Sequence, residues 1–168
     1  MCGIAGLVGQ DQSVDYSGCA TRMGRTQHHR GPDAEGLESG PGFAFSHQRL
    51  AIIDLQGGAQ PMWSASRDHV LTFNGEIYNY HSLKEQLESK GRRFQTSSDT
   101  EVLLQALEEW GAAAVERIEG IFAFAFYTIS TRKLLLVRDR MGIKPLYFSV
   151  SRGGILAFGS ELKSLMAY

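Results

Sequence analysis

No stretch of the sequence approaches the ~20 consecutive apolar residues of a membrane-spanning helix, and no membrane partner is expected. Cysteine is scarce: Cys2 and Cys19 are the two thiols in 168 residues. That is too few for a disulfide framework and points to a reducing, cytoplasmic setting. The start, Met1-Cys2-Gly3-Ile4-Ala5-Gly6, lacks the basic head and apolar run of a secretory signal. It also lacks the Gly at position 2 that myristoylation needs. Neither sign of charge dominates, with 18 acidic against 17 basic residues, so no electrostatic footprint for nucleic acid is present. There is no glycine-lysine phosphate loop, no dinucleotide fingerprint and no Cys-x-x-Cys or His-Glu-x-x-His pattern. His28 and His29 are adjacent, so their side chains diverge and make poor joint ligands. No metal site is expected.

What is present is an ordinary globular composition, 43% apolar, in a length that fits one domain. Ile4 to Val8 reads as a buried strand, Ser17 to His29 as a helix, and Gly31-Pro32-Asp33 as a loop. Phe43 to Asp54 reads as extended, with two strands meeting near His47. Val70 to Phe73 reads as a strand ending at Asn74-Gly75, a pair that tolerates positive φ and favours turns. Ser82 with Glu85, and Ser98 with Glu101, are capping-box patterns; they open helices that stop at Gly91 and Gly111. Ile121 to Ile129 reads as a strand buried on both faces. Leu134–Val137, Leu146–Val150 and Ile155–Phe158 follow as strands in hairpins, and Ser160 to Met166 as a last helix. Without regular βαβ alternation, the expected class is layered α+β.

Cys2 is the first candidate for chemistry. Residue 2 is small enough for the initiator Met1 to be removed, which would place a thiol and a free α-amine on one residue. The amine titrates near pH ~8, so it can act as a general base towards its own thiol. The thiol is the best nucleophile available, because part of it is ionised near neutrality. If Ile4 to Val8 is a central strand, this terminus is held rather than frayed. Asn74 and Gly75 fit either a plain hairpin turn or, through a side-chain amide and a closely approached backbone N–H, two donors for a developing oxyanion. Arg49 lies against the apolar run Leu50-Ala51-Ile52-Ile53, where a charge needs a partner, and its fork suits a carboxylate. Asp99 fits either a helix first turn or an anion for a ligand's ammonium.

These residues sit in blocks that resemble the N-terminal glutaminase domain of class II glutamine amidotransferases, within the N-terminal-nucleophile hydrolase superfamily. The asparagine synthetase group is the most similar. The blocks are Met1-Cys2-Gly3-Ile4, His29-Arg30-Gly31-Pro32-Asp33, Arg49-Leu50-Ala51-Ile52-Ile53-Asp54, Gly58-Ala59-Gln60-Pro61, and Asn74-Gly75-Glu76-Ile77-Tyr78-Asn79. Ser98-Asp99-Thr100-Glu101, Gly120 to Ala125, Arg138 to Tyr147 and Ser160-Glu161-Leu162-Lys163 complete the series, in order along the whole chain. His29 and Pro32 favour the asparagine synthetase type over the branches making glucosamine phosphate or phosphoribosylamine.

The resemblance implies a four-layer αββα sandwich of two antiparallel sheets between helices. It implies that Cys2 attacks the glutamine carboxamide while its α-amine relays the proton. The Asn74 side chain and the Gly75 N–H would form the oxyanion hole. Arg49 would take the α-carboxylate, with backbone of Leu50, Ala51, Ile52 and Ile53 lining the pocket. Glu76 and Asp99 would face the amino group, with Asp99 the main anion. Arg30 and Asp33 are expected to be scaffold, and Cys19 to have no catalytic part. Residues 1–168 would be the glutaminase domain without cofactor. The synthetase domain of family members, which uses ATP and magnesium, is absent from this chain. The expected partners are L-glutamine, a synthetase domain in cis or in trans, and a second copy in a homodimer.

Overall fold

The computed structural model describes residues 1–50 and 58–168. Two antiparallel sheets stack face to face. The first has five strands in the order β2 (Ala34–Gly40), β3 (Phe43–Arg49), β1 (Gly3–Val8), β9 (Leu156–Gly159), β8 (Tyr147–Val150). The second has four in the order β4 (Met62–Trp63), β5 (His69–Ile77), β6 (Gly120–Thr128), β7 (Lys133–Arg138). Helices α1 (Tyr16–Arg25) and α4 (Leu162–Met166) cover the first sheet. Helices α2 (Tyr80–Ser89) and α3 (Asp99–Trp110) cover the second. This is the expected four-layer αββα arrangement.

Strand alternation sorts the core into three layers. In β6, Phe122, Phe124 and Phe126 point under α2 and α3, while Ala123, Ala125 and Tyr127 point between the sheets. Small residues there leave room for Phe43, Phe45 and Phe158 of the facing sheet, whose rings meet edge to face. In β1, Ile4 and Val8 face this middle layer, and Ala5 and Leu7 face Cys19, Ala20 and Met23 of α1. Burial on both faces explains why β1 and β6 read as continuous apolar runs. His47 of β3 is fully buried between the sheets beside the Thr72 hydroxyl, 3.1 Å away. Burial, with a smaller contribution from Arg49, drops its pKa to about 3 and keeps it neutral.

Several expectations are corrected. Phe43–Arg49 is one unbroken strand through His47, paired with β1 on one side and β2 on the other. The remainder of that stretch, 51–57, lies outside the described residues. The helix expected over Ser17 to His29 ends at Arg25, and a 3₁₀ turn follows at His28–Arg30. Ser82 does not cap α2, which begins about one turn earlier, after Asn79. Ser98 does cap α3 through the Glu101 N–H, but Glu101 reaches back past the cap to the N–H groups of Gln95 and Thr96. Most consequentially, Asn74-Gly75 is not a turn. Strand β5 runs straight through it, with Asn74 opposite Ala123 and Gly75 opposite Phe122.

Candidate active site

The Asn74-Gly75 correction determines what this segment can do. Strand β4 is only two residues long and pairs with Val70 and Leu71, so the outer edge of β5 beyond them has no neighbouring strand among the described residues. Its backbone donors find side chains instead. The Phe73 N–H donates to Gln60 Oε1 at 2.6 Å, and the Ile77 N–H to Asp99 Oδ2 at 3.1 Å. Alternation along a strand places the Gly75 N–H on this same edge, midway between them. A Cβ at Gly75 would lie 2.3 Å from the Ile121 carbonyl oxygen, so only glycine allows this close pairing with β6. The Asn74 side chain is 1% exposed, and its Nδ2 has no hydrogen-bond partner among the described residues. A buried amide donor without an acceptor is costly, which marks a place where an acceptor is meant to arrive.

Asn74 and Gly75 line one cavity together with Cys2, Arg49, Leu50, Glu76 and Asp99. Seven predicted site residues, spread along the chain from Cys2 to Asp99, are thus brought together. Ala51, Ile52 and Ile53 lie outside the described residues. The Cys2 thiol rests on the Leu50 backbone, accepting from its N–H at 3.4 Å and donating to its carbonyl at 3.6 Å. Arg49 ends β3, and its carbonyl accepts from the Asp33 N–H, which ties down the loop after the 3₁₀ turn. Met1 also lines the cavity, ahead of the Cys2 nitrogen.

Asp99 opens α3 and is buried. Burial raises its pKa; the Ile77 and Thr100 N–H groups act against that, and the nearby Glu76 carboxylate adds to it. A cationic ligand group would reverse the shift by favouring the ionised form. The acid limb of kcat/KM should therefore reflect Asp99 in the free protein, with activity falling as it protonates. Asp99→Asn is expected to raise KM for an amino-acid substrate about tenfold or more, in the range of a lost charge-assisted bond, and to remove that limb from the pH profile. An unchanged KM would exclude Asp99 from ligand binding.

Gln60, Thr100 and Lys144 also line the cavity, and none of them carries a role from sequence. Gln60 bridges β5 to Thr100, whose Oγ1 is 3.3 Å from its Nε2. Lys144 is placed by Asp139, a buried carboxylate that accepts from the Phe122, Ile143 and Lys144 N–H groups. This cradle, with Arg138 donating to the carbonyls of Gly142 and Lys144, gives the block Arg138 to Lys144 its shape. Each lies in a block of the family resemblance, but residue type alone gives it no role: Gln60 and Thr100 meet across 40 residues, and Lys144 is placed by the Asp139 cradle.

A side chain able to act as nucleophile, an orphaned amide donor, an edge N–H, a guanidinium and two carboxylates in one cavity are the parts of an acyl-transfer site for an amino-acid amide. Comparison with known proteins agrees. The glutamine amidotransferase domain family matches residues 1–168. The chain belongs to that family. It is 39% identical over 171 residues to asparagine synthetase [glutamine-hydrolyzing] 3 of Bacillus subtilis (strain 168), covering 100% of this chain and 28% of that protein. It is 37% identical over 167 residues to asparagine synthetase B [glutamine-hydrolyzing] of Escherichia coli (strain K12), covering 99% of this chain and 30% of that protein. The glutamine amidotransferase domain described here thus spans less than a third of the length of these relatives. Among solved structures, glutamine phosphoribosylpyrophosphate amidotransferase from B. subtilis superposes with a TM-score of 0.80 over 99% of this chain and 43% of its own; at 23% identity it bears on the fold alone.

Proposed function

We propose that this domain hydrolyses L-glutamine to L-glutamate and ammonia and passes the ammonia to a synthetase domain, in cis or in trans, for asparagine synthesis. The observation that carries this reading is the orphaned, buried Asn74 amide in the same cavity as Cys2. Arg49 binds the α-carboxylate of glutamine, beside backbone from Leu50 to Ile53, and Asp99 with Glu76 takes the α-ammonium. The substrate carboxamide is thereby directed to Cys2. The thiol gives its proton to the α-amine of the same residue as sulfur bonds to the amide carbon. The resulting oxyanion receives the Asn74 Nδ2 and Gly75 N–H donors. Collapse breaks the carbon–nitrogen bond, the nitrogen takes the proton from the α-ammonium, and ammonia leaves. Water then attacks the γ-glutamyl thioester, again giving a proton to the amine, and sulfur departs with glutamate released. ATP and magnesium belong to the synthetase partner, and no step of this hydrolysis passes through them. The setting is cytoplasmic; no helix among the described residues is long and apolar enough to cross a membrane.

Met1 removal has two consequences in this scheme. It converts the Cys2 nitrogen from an amide into a base, and it clears a residue that lines the cavity. A form that retains Met1, for example with a bulky residue ahead of Cys2 that blocks processing, is expected to release no measurable glutamate. The processed form should release glutamate and ammonia in equal amounts. Equal turnover by both forms would exclude the terminal amine as the base.

A further inference from the structure

Strand β1 pairs with its neighbours from Gly3 onward, so Cys2 lies just outside the ladder. A terminal residue in that position frays unless something else holds it. Among the described residues, the group that holds its backbone is Arg30, whose Nε donates to the Cys2 carbonyl at 3.0 Å. Arginine has a long stem with many rotamers, and this one is fixed at its far end. Its Nη1 lies 3.1 Å from Glu161 Oε1, the carboxylate that pairs with it among the described residues. Glu161 itself is gripped by His29 Nε2 at 3.0 Å and Lys163 Nζ at 2.9 Å. Burial pushes the Glu161 carboxyl up, but hydrogen bonds from Lys163, Arg30 and His29 outweigh it and hold its pKa at about 2, so it is ionised at any working pH. The preceding residue, Ser160, is fully buried and clamps Ile4 from both sides. Its Oγ accepts from the Ile4 N–H at 3.0 Å, and its N–H donates to the Ile4 carbonyl at 2.9 Å.

We propose that Glu161 is a positioning residue for the nucleophile: it holds Arg30, Arg30 holds the Cys2 carbonyl, and the junction between β9 and α4 thereby sets where the thiol points. Glu161 is not among the residues that line the cavity. Its effect runs through one guanidinium, over 131 residues of sequence separation from Glu161 to Arg30. The Ser160-Glu161 pair thus acts on the two ends of the Cys2–Ile4 segment at once. The inference rests on the glutaminase reading above and assigns it a residue from the far end of the fold.

The test is a double-mutant cycle on glutamate release by the Met1-processed protein. Glu161→Gln is expected to lower kcat about tenfold with KM for glutamine nearly unchanged, since a sub-ångström misplacement of a nucleophile costs rate rather than binding. Arg30→Lys keeps a cation beside Glu161 but loses the fork that reaches both groups, and should lower kcat to a similar degree. In the Arg30→Lys background, adding Glu161→Gln should cost no more than about twofold, because both changes cut one connection. Lys163→Ala removes another partner of Glu161 and should leave kcat within about twofold of wild type. Wild-type kcat in Glu161→Gln or in Arg30→Lys, or losses that multiply in the double variant, would overturn the proposal. The rate of Cys2 alkylation by iodoacetamide should fall or rise in step across the same variants, and an identical rate in all of them would overturn it as well. That measurement needs no glutamine turnover, so an inactive wild type would count against the glutaminase reading while the relay is still judged.

Discussion

Replacing Cys2 with alanine is expected to bring glutamate release to the detection floor while glutamine still binds. Deleting the nucleophile of an acyl-transfer enzyme costs on the order of 10⁶ in kcat, because no other group opens the covalent route. Among the described residues of the cavity, the Ser98 hydroxyl is taken up in capping α3 and the Thr100 hydroxyl lies beside Gln60 Nε2, while Asp99, Glu76 and the Asn74 amide are weak nucleophiles towards an amide. Binding should persist, since the groups assigned to the α-carboxylate and α-ammonium are untouched. Titration calorimetry of the variant with glutamine separates the two effects. Cys19 supplies the internal control. It is buried under α1 with Arg22 Nη2 3.1 Å from its sulfur, away from the cavity, and Cys19→Ala should keep its turnover. Substantial turnover in Cys2→Ala would end the assignment.

The layers of the fold were legible because burial on two faces leaves an unmistakable record. Gly3–Val8 and Gly120–Thr128 show it, as does α3 between its serine cap and its glycine stop at φ 57°. What stayed hidden were elements whose pattern is set by neighbours. Strand β2, Ala34–Gly40, is a polar edge strand with one large apolar residue, Leu37, which is itself exposed. The Ser82 cap fails because the chain is already pinned one turn earlier: the Asn79 side chain bonds the Arg117 carbonyl and the Glu119 N–H, and α2 starts from there. Local capping chemistry is worth about 1 kcal/mol, and a long-range pair of hydrogen bonds can override it.

The Asn74-Gly75 pair shows the same competition more sharply. Its turn propensity is strong, yet all nine residues of β5, His69–Ile77, pair with β6, and tertiary register prevails over dipeptide preference. That the pair could offer two donors side by side was readable from the residue types. Their geometry was not, because it depends on β4 being too short to cover the edge and on Gln60 and Asp99 capping the flanking N–H groups. Gln60, which lines the cavity, takes its place from contacts with Phe73 and Thr100, 13 and 40 residues away, that no short window of sequence contains.

Asn74→Ala is accordingly the second large effect, and its form is as informative as its size. Removing one preorganised donor to an oxyanion costs about 10²–10³ in kcat. The loss should appear in kcat with KM little changed, since the amide meets its full partner only when the carbonyl oxygen gains charge. The variant should fold: Asn74 is held in β5 by its backbone pairing with Ala123, and its Nδ2 has no hydrogen-bond partner among the described residues. Deleting an unsatisfied buried donor can even raise the melting temperature, so a variant that is crippled in turnover but as stable as wild type, or more so, is the expected outcome. Asn74→Asp should be at least as damaging, because it sets a carboxylate where negative charge must develop. Turnover of Asn74→Ala within about threefold of wild type would be too small for a lost oxyanion donor and would return the pair to a purely structural role in the strand.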